Sequence, residues 1–98
     1  MFVVDLNYVA SLDKIDAIMG DHMKFLRKYY KQNNFIASGR KMPRTGGIIL
    51  VQAGSLDEVE KIVNEDPFIK NKLAEYNITE FRTSQVHPDL KELTHIIK

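Results

Sequence analysis

Apolar positions repeat along the chain in stretches of period two and stretches of period three to four, and these alternate. "FVVDLNYV" (2–9) is rich in β-branched and aromatic residues, with Val4, Leu6 and Tyr8 at every second position, which predicts a strand. From Leu12 to Gln32 the period lengthens. Leu12, Ile15, Met19, His22, Leu26 and Tyr29 recur at spacings of three and four, as on one helix face, and Ile18, Phe25 and Tyr30 widen it. Ser11 stands at the N-cap position. "FIASG" (35–39) predicts a second strand, "RKMPRTGG" (40–47) a hairpin connection, and "GIILVQA" (47–53) a third strand. "GSLDEVEKIVNE" (54–65) predicts a helix with a capping-box pattern at Ser55 and Glu58. "DPFIKNKL" (66–73) reads as a helical turn, capped by Asp66 and started by Pro67. "YNITEFRTSQ" (76–85) is a fourth, more polar strand expected at an edge.

The order β-α-β-β-α-β predicts an α+β, ferredoxin-like domain over residues 1–85: a four-stranded antiparallel sheet with two helices on one face. Residues 86–98 form a tail whose Asp89 cap and whose Leu90, Leu93 and Ile97 suggest a short docking helix. The first and third strands are central in this topology. The third is apolar on both faces, from Ile48 to Val51, and the helices cover only one of them. A second copy of the sheet would cover the other, so a homodimer through the sheet face is expected; the tail is too short to hide more than part of it.

Composition narrows the class. The 98 residues allow one domain with a modest core. A net charge of +1 gives no pull toward polyanions, and the third strand offers no aromatic side chain on which an RNA base could stack, so nucleic-acid binding is not expected. The absence of cysteine removes disulfides, thiolate metal sites and cysteine nucleophiles, and fits a reducing, cytoplasmic setting. His22, His87 and His95 share no ligand spacing, so no metal is expected, and no glycine-rich nucleotide loop is present. The N-terminus reads as neither signal peptide nor membrane anchor.

One polar residue interrupts the helix stripe. His22 falls three residues after Met19 and four before Leu26 and so points with them toward the sheet. A histidine on an apolar face is most often a core residue satisfied by a backbone carbonyl or a neighbour. The alternative is a general acid/base, since imidazole titrates near neutrality and an apolar wall excludes water from it. Such a base needs a partner to fix its tautomer. Asp66 is the candidate, because a capping carboxylate has oxygen lone pairs to spare; Asp21, next in sequence, points elsewhere around the helix. Tyr8, Ser38, Gly39 and Arg40 are candidate substrate contacts near the same end of the sheet. Arg40, Lys41 and Arg44 crowd the hairpin beside Gly46 and Gly47 and could meet a substrate carboxylate, although turn residues of these types are usually only solvated. Asp5 and Asn7 lie on the face opposite Leu6 and Tyr8, and Lys24, Arg27, Lys28 and Lys31 read as a solvated helix face.

The ordered set of the helix histidine in "HMKFL", then "GR", "PRTGGIILVQAGSLDEVEKIVNEDPF" and a closing "ITEF" strand resembles the YciI-like family of the dimeric α+β-barrel superfamily, over residues 1 to about 82. The resemblance implies a ferredoxin-like subunit whose sheet packs on a second subunit's sheet. It also implies an active site in which His22 pairs with Asp66. Some relatives act in aromatic degradation, including a dehydrochlorinase of a chlorinated hydroxyhydroquinone. Residues and resemblance together lead to an expected function: proton transfer of lyase or isomerase type on a small cyclic or aromatic molecule, without a cofactor. The competing expectation is a non-catalytic dimeric module that binds a ligand or simply assembles.

Overall fold

The computed structural model describes residues 1–92. The strands and α-helices of the described residues follow in chain order: β1 (Phe2–Tyr8), α1 (Leu12–Lys31), β2 (Phe35–Arg40), β3 (Gly46–Val51), α2 (Leu56–Val63), α3 (Pro67–Lys70) and β4 (Ala74–Glu80). The strands form one antiparallel sheet in the order β2-β3-β1-β4, with β1 and β3 central. This is the ferredoxin-like α+β arrangement, with the short α3 added between α2 and β4.

Register sorts the side chains between the two faces. Phe2 lies opposite Val51, Val4 opposite Ile49 and Leu6 opposite Gly47, and opposed residues share a face. Phe2, Val4, Leu6, Ile49 and Val51 are buried and form the layer beneath the helices. Phe25, Leu26 and Tyr29 of α1 and Val59, Ile62 and Val63 of α2 complete that core. A smaller cluster of Ile15, Phe68 and Ala74 joins α1, α3 and β4. The pairs Val3–Leu50 and Asp5–Ile48 face the other way. Ile48 is 37% exposed there, and Lys41 pairs with the Asp5 carboxylate and donates to Asn7 Oδ1 at 2.7 Å.

Several boundaries differ from those the sequence pattern predicts. The fourth strand runs from Ala74 to Glu80, not 76–85: Ala74 pairs with Tyr8 and Glu80 with Phe2, and the Phe81 N–H donates once more to the Met1 carbonyl at 2.9 Å. β3 ends at Val51 rather than Ala53, and beyond it the Gln52 N–H donates to the Asn34 carbonyl at 2.8 Å. Leu12, in the first turn of α1, is 43% exposed, and Phe25 rather than Tyr30 carries the inner face. The Ser11 side chain makes no capping bond, whereas Ser55 Oγ accepts from the Glu58 N–H at 3.2 Å. Glu58 Oε2 in return accepts from the Gly54 N–H at 2.8 Å, one residue before the cap. In the tail a 3-10 turn spans Pro88–Leu90, and the His87 side chain, not Asp89, caps it by accepting from the Asp89 N–H at 3.1 Å. Leu93, His95 and Ile97 lie outside the described residues. Among the described residues no helix is long and apolar enough to cross a membrane.

Candidate active site

Asp66, Pro67 and Phe68 act as one unit. Asp66 takes extended backbone angles as the N-cap of α3, and Pro67, which has no N–H to leave unpaired, occupies the first helical turn. Asp66 Oδ1 accepts from the Phe68 N–H at 3.0 Å. That same oxygen accepts from His22 Nδ1 at 2.9 Å, across 44 residues of sequence. The Phe68 ring stacks on the imidazole, with centroids 4.2 Å apart and planes 14° from parallel. One tripeptide thus caps its own helix, fixes the His22 ring plane and binds its Nδ1.

The chemistry of this pair follows from its accounting. A carboxylate only accepts, so Nδ1 carries a proton, and in the neutral ring Nε2 keeps the lone pair. Nε2 finds no hydrogen-bond partner among the described residues. Asp66 is wholly buried, and its second oxygen, Oδ2, has no partner among the described residues. Capping α3 needs only one acceptor, which serine, threonine or asparagine would supply without burying a second anionic oxygen. A carboxylate at this position therefore does more than a cap requires: it also holds the His22 ring through Nδ1.

His22 opens onto a cleft of about 220 Å³ between α1 and the sheet. Met19, Met23 and Leu26 line it from α1, and Phe68 from α3. From the sheet come Leu6, Tyr8, Ser38, Gly39 and Arg40, together with the Gly46–Gly47 segment and Ile49. Space for the cleft arises where the helix-facing side of the sheet carries small residues: Gly47 opposes Leu6 on β1 and Arg40 on β2, and Ser38 opposes Ile49. Gly46 serves packing instead, since a Cβ there would stand 1.8 Å from the Leu6 carbonyl oxygen. Five of the sequence-derived candidates line this cleft and a sixth adjoins it, whereas Lys41 and Arg44 do not line it. Tyr8, His22, Ser38, Gly39 and Arg40 line the cleft, while Asp66 sits behind His22.

The sequence pattern does not single out the methionines or Phe68: Met19 lies in the helix stripe and Phe68 within "DPF", and neither signal separates a cleft wall from a core position. The stripe predicts Tyr30 in the core; its hydroxyl instead lies 2.6 Å from Ser38 Oγ and holds that side chain at the cleft. Asp5 and Asn7 belong to the opposite face of the sheet with Lys41. Arg44 pairs with Asp16 on α1, tying the hairpin to the helix, and the guanidinium holds the Asp16 carboxyl below the usual carboxylate range. Among the described residues no group of three His, Cys, Asp or Glu side chains could hold a metal ion.

Fold and site together define a class: a ferredoxin-like α+β domain with a histidine–aspartate pair behind a cleft between helix and sheet. The chain belongs to the YCII-related domain family, whose family model matches residues 1–82. Among solved structures it is similar to the 5-chloro-2-hydroxyhydroquinone dehydrochlorinase of Burkholderia phenoliruptrix in complex with 2,5-dihydroxybenzoquinone. The TM-score is 0.70 at 20% sequence identity, over 83% of this chain and 93% of that one, a likeness of fold. No curated protein matches the chain.

Proposed function

We propose that the protein is a small-molecule enzyme of lyase or isomerase type, in which His22 moves a proton and Asp66 orients it. The observation that carries this reading is the 2.9 Å bond from His22 Nδ1 to a wholly buried carboxylate, on a residue that lines the cleft and whose Nε2 has no partner among the described residues. In an elimination, Nε2 takes a proton from substrate carbon, the C–H electron pair becomes a double bond, and the leaving group departs with its own pair. In an isomerisation the imidazolium returns the proton to another atom. The Asp66 carboxylate stabilises the imidazolium in both cases, and the apolar walls keep water from competing for the proton. Tyr8, Ser38, Gly39 and Arg40 are the substrate contacts of this reading. The dehydrochlorinase of similar fold supports a small cyclic or aromatic substrate. So does the size of the cleft, which lies below the roughly 300 Å³ at which drug-sized sites begin.

The test is halide release and solvent-deuterium exchange across a panel of chlorinated hydroquinones and related ring compounds, with wild type and His22→Gln. The expected result is turnover of at least one compound by wild type, reduced about 10²-fold or more in the variant. A folded His22→Gln protein with undiminished turnover would remove the acid/base assignment and leave a binding module.

A further inference from the structure

We infer that the molecule taken into this cleft is a single-ring carboxylate and that Arg40 receives its anionic end. The inference rests on the reading of the cleft above and adds the substrate's charge.

Three cations cluster at the hairpin end of β2, and the structure gives each a different place. Lys41 lies on the far face of the sheet, engaged with Asp5 and Asn7. Arg44 is engaged with Asp16. Arg40 alone of the three lines the cleft, and it makes no hydrogen bond or ion pair among the described residues. Its charge is felt at Asp16, but Arg44 already holds that carboxylate. Register explains its position. Arg40 shares the helix-facing side of β2 with Ser38 and lies opposite Gly47, where no side chain stands in its way.

Apart from this guanidinium and the His22 edge, the walls are mainly apolar: Leu6, Met19, Met23, Leu26, Ile49 and Phe68. Such a cleft suits a flat apolar body with one anionic end. A guanidinium presents paired N–H donors that match the two oxygens of a carboxylate, a geometry that a neutral amide or alcohol does not reproduce. Arg40 is therefore a specificity-determining residue: it selects charge and fixes which edge of the ring meets His22.

The test is an NMR amide-shift titration with benzoate, benzamide and acetate, using wild type and Arg40→Gln. Benzoate is expected to shift the Gly39 and Gly47 amides and to bind about tenfold or more tightly than benzamide or acetate. Arg40→Gln is expected to remove that preference, weakening benzoate about tenfold and leaving benzamide unchanged. Benzamide binding as tightly as benzoate, undiminished benzoate binding by Arg40→Gln, or no cleft shift with any probe would each overturn the inference. The two readings fail separately. If turnover depends on His22 while benzoate affinity ignores Arg40, the anion anchor falls and the acid/base pair stands. If benzoate affinity needs Arg40 while turnover survives His22→Gln, the opposite holds.

Discussion

A single oxygen, Asp66 Oδ1, accepts both the Phe68 N–H and the His22 Nδ1–H. Substitutions at Asp66 therefore separate structure from chemistry. Asparagine keeps an acceptor for both donors and caps helices as well as aspartate does, but it carries no charge to stabilise an imidazolium. Asp66→Asn is expected to change stability by about 1 kcal/mol or less while lowering turnover about 10²-fold. Asp66→Ala removes the cap and leaves a buried ring N–H unpaired, at a cost of about 2–4 kcal/mol. Urea unfolding of the two variants beside their kinetics checks the split. Undiminished turnover in Asp66→Asn, beside the loss of stability in Asp66→Ala, would mean that the carboxylate is only a cap.

The pair is assembled by elements rather than by neighbours in sequence, and one tie holds those elements in place. Glu65, immediately before Asp66, accepts from Lys28 Nζ at 2.8 Å and from the Tyr29 hydroxyl, which binds the junction of α2 and α3 to α1. Lys28 and then Tyr29 hold the Glu65 carboxyl below the usual glutamate range. A lowered folded value means that this contribution is complete above the ordinary value of about 4.3 and is lost as pH falls through the lower folded one. Wild type should therefore lose stability more steeply than Glu65→Gln on acidification from about pH 5 to 3, by a modest amount because the groups are partly exposed. Urea midpoints across that range measure it, and parallel curves would show that the tie contributes nothing. This scale also marks the limit of what the sequence makes legible. Periodicity placed His22 inward and the "DP" pattern placed Asp66 at a helix start, because both are local. Their contact depends on how α3 docks against α1, which no local pattern encodes. The same holds for Phe68, whose stacking on His22 exists only in the docked state.

At the scale of the molecule, the helices and the cleft occupy one face of the sheet, and Val3, Ile48 and Leu50 occupy the other. We propose that a second copy covers that face, since half-exposed aliphatic residues on a central strand are poorly served by water. Ile48→Lys, which sets a charge in the middle of the face, is expected to turn a dimer into a monomer in sedimentation equilibrium; a wild type that is already monomeric at micromolar concentration would end the proposal. Because the cleft opens on the opposite face, its chemistry depends on the orientation of one imidazole within one chain. The most direct measurement of that orientation is the ¹⁵N spectrum of the His22 ring in its neutral form. A protonated Nδ1 and an unprotonated Nε2 are predicted, with that tautomer weakened in Asp66→Asn; a ring protonated at Nε2, or a tautomer indifferent to Asp66, would contradict the assignment of His22 as the base.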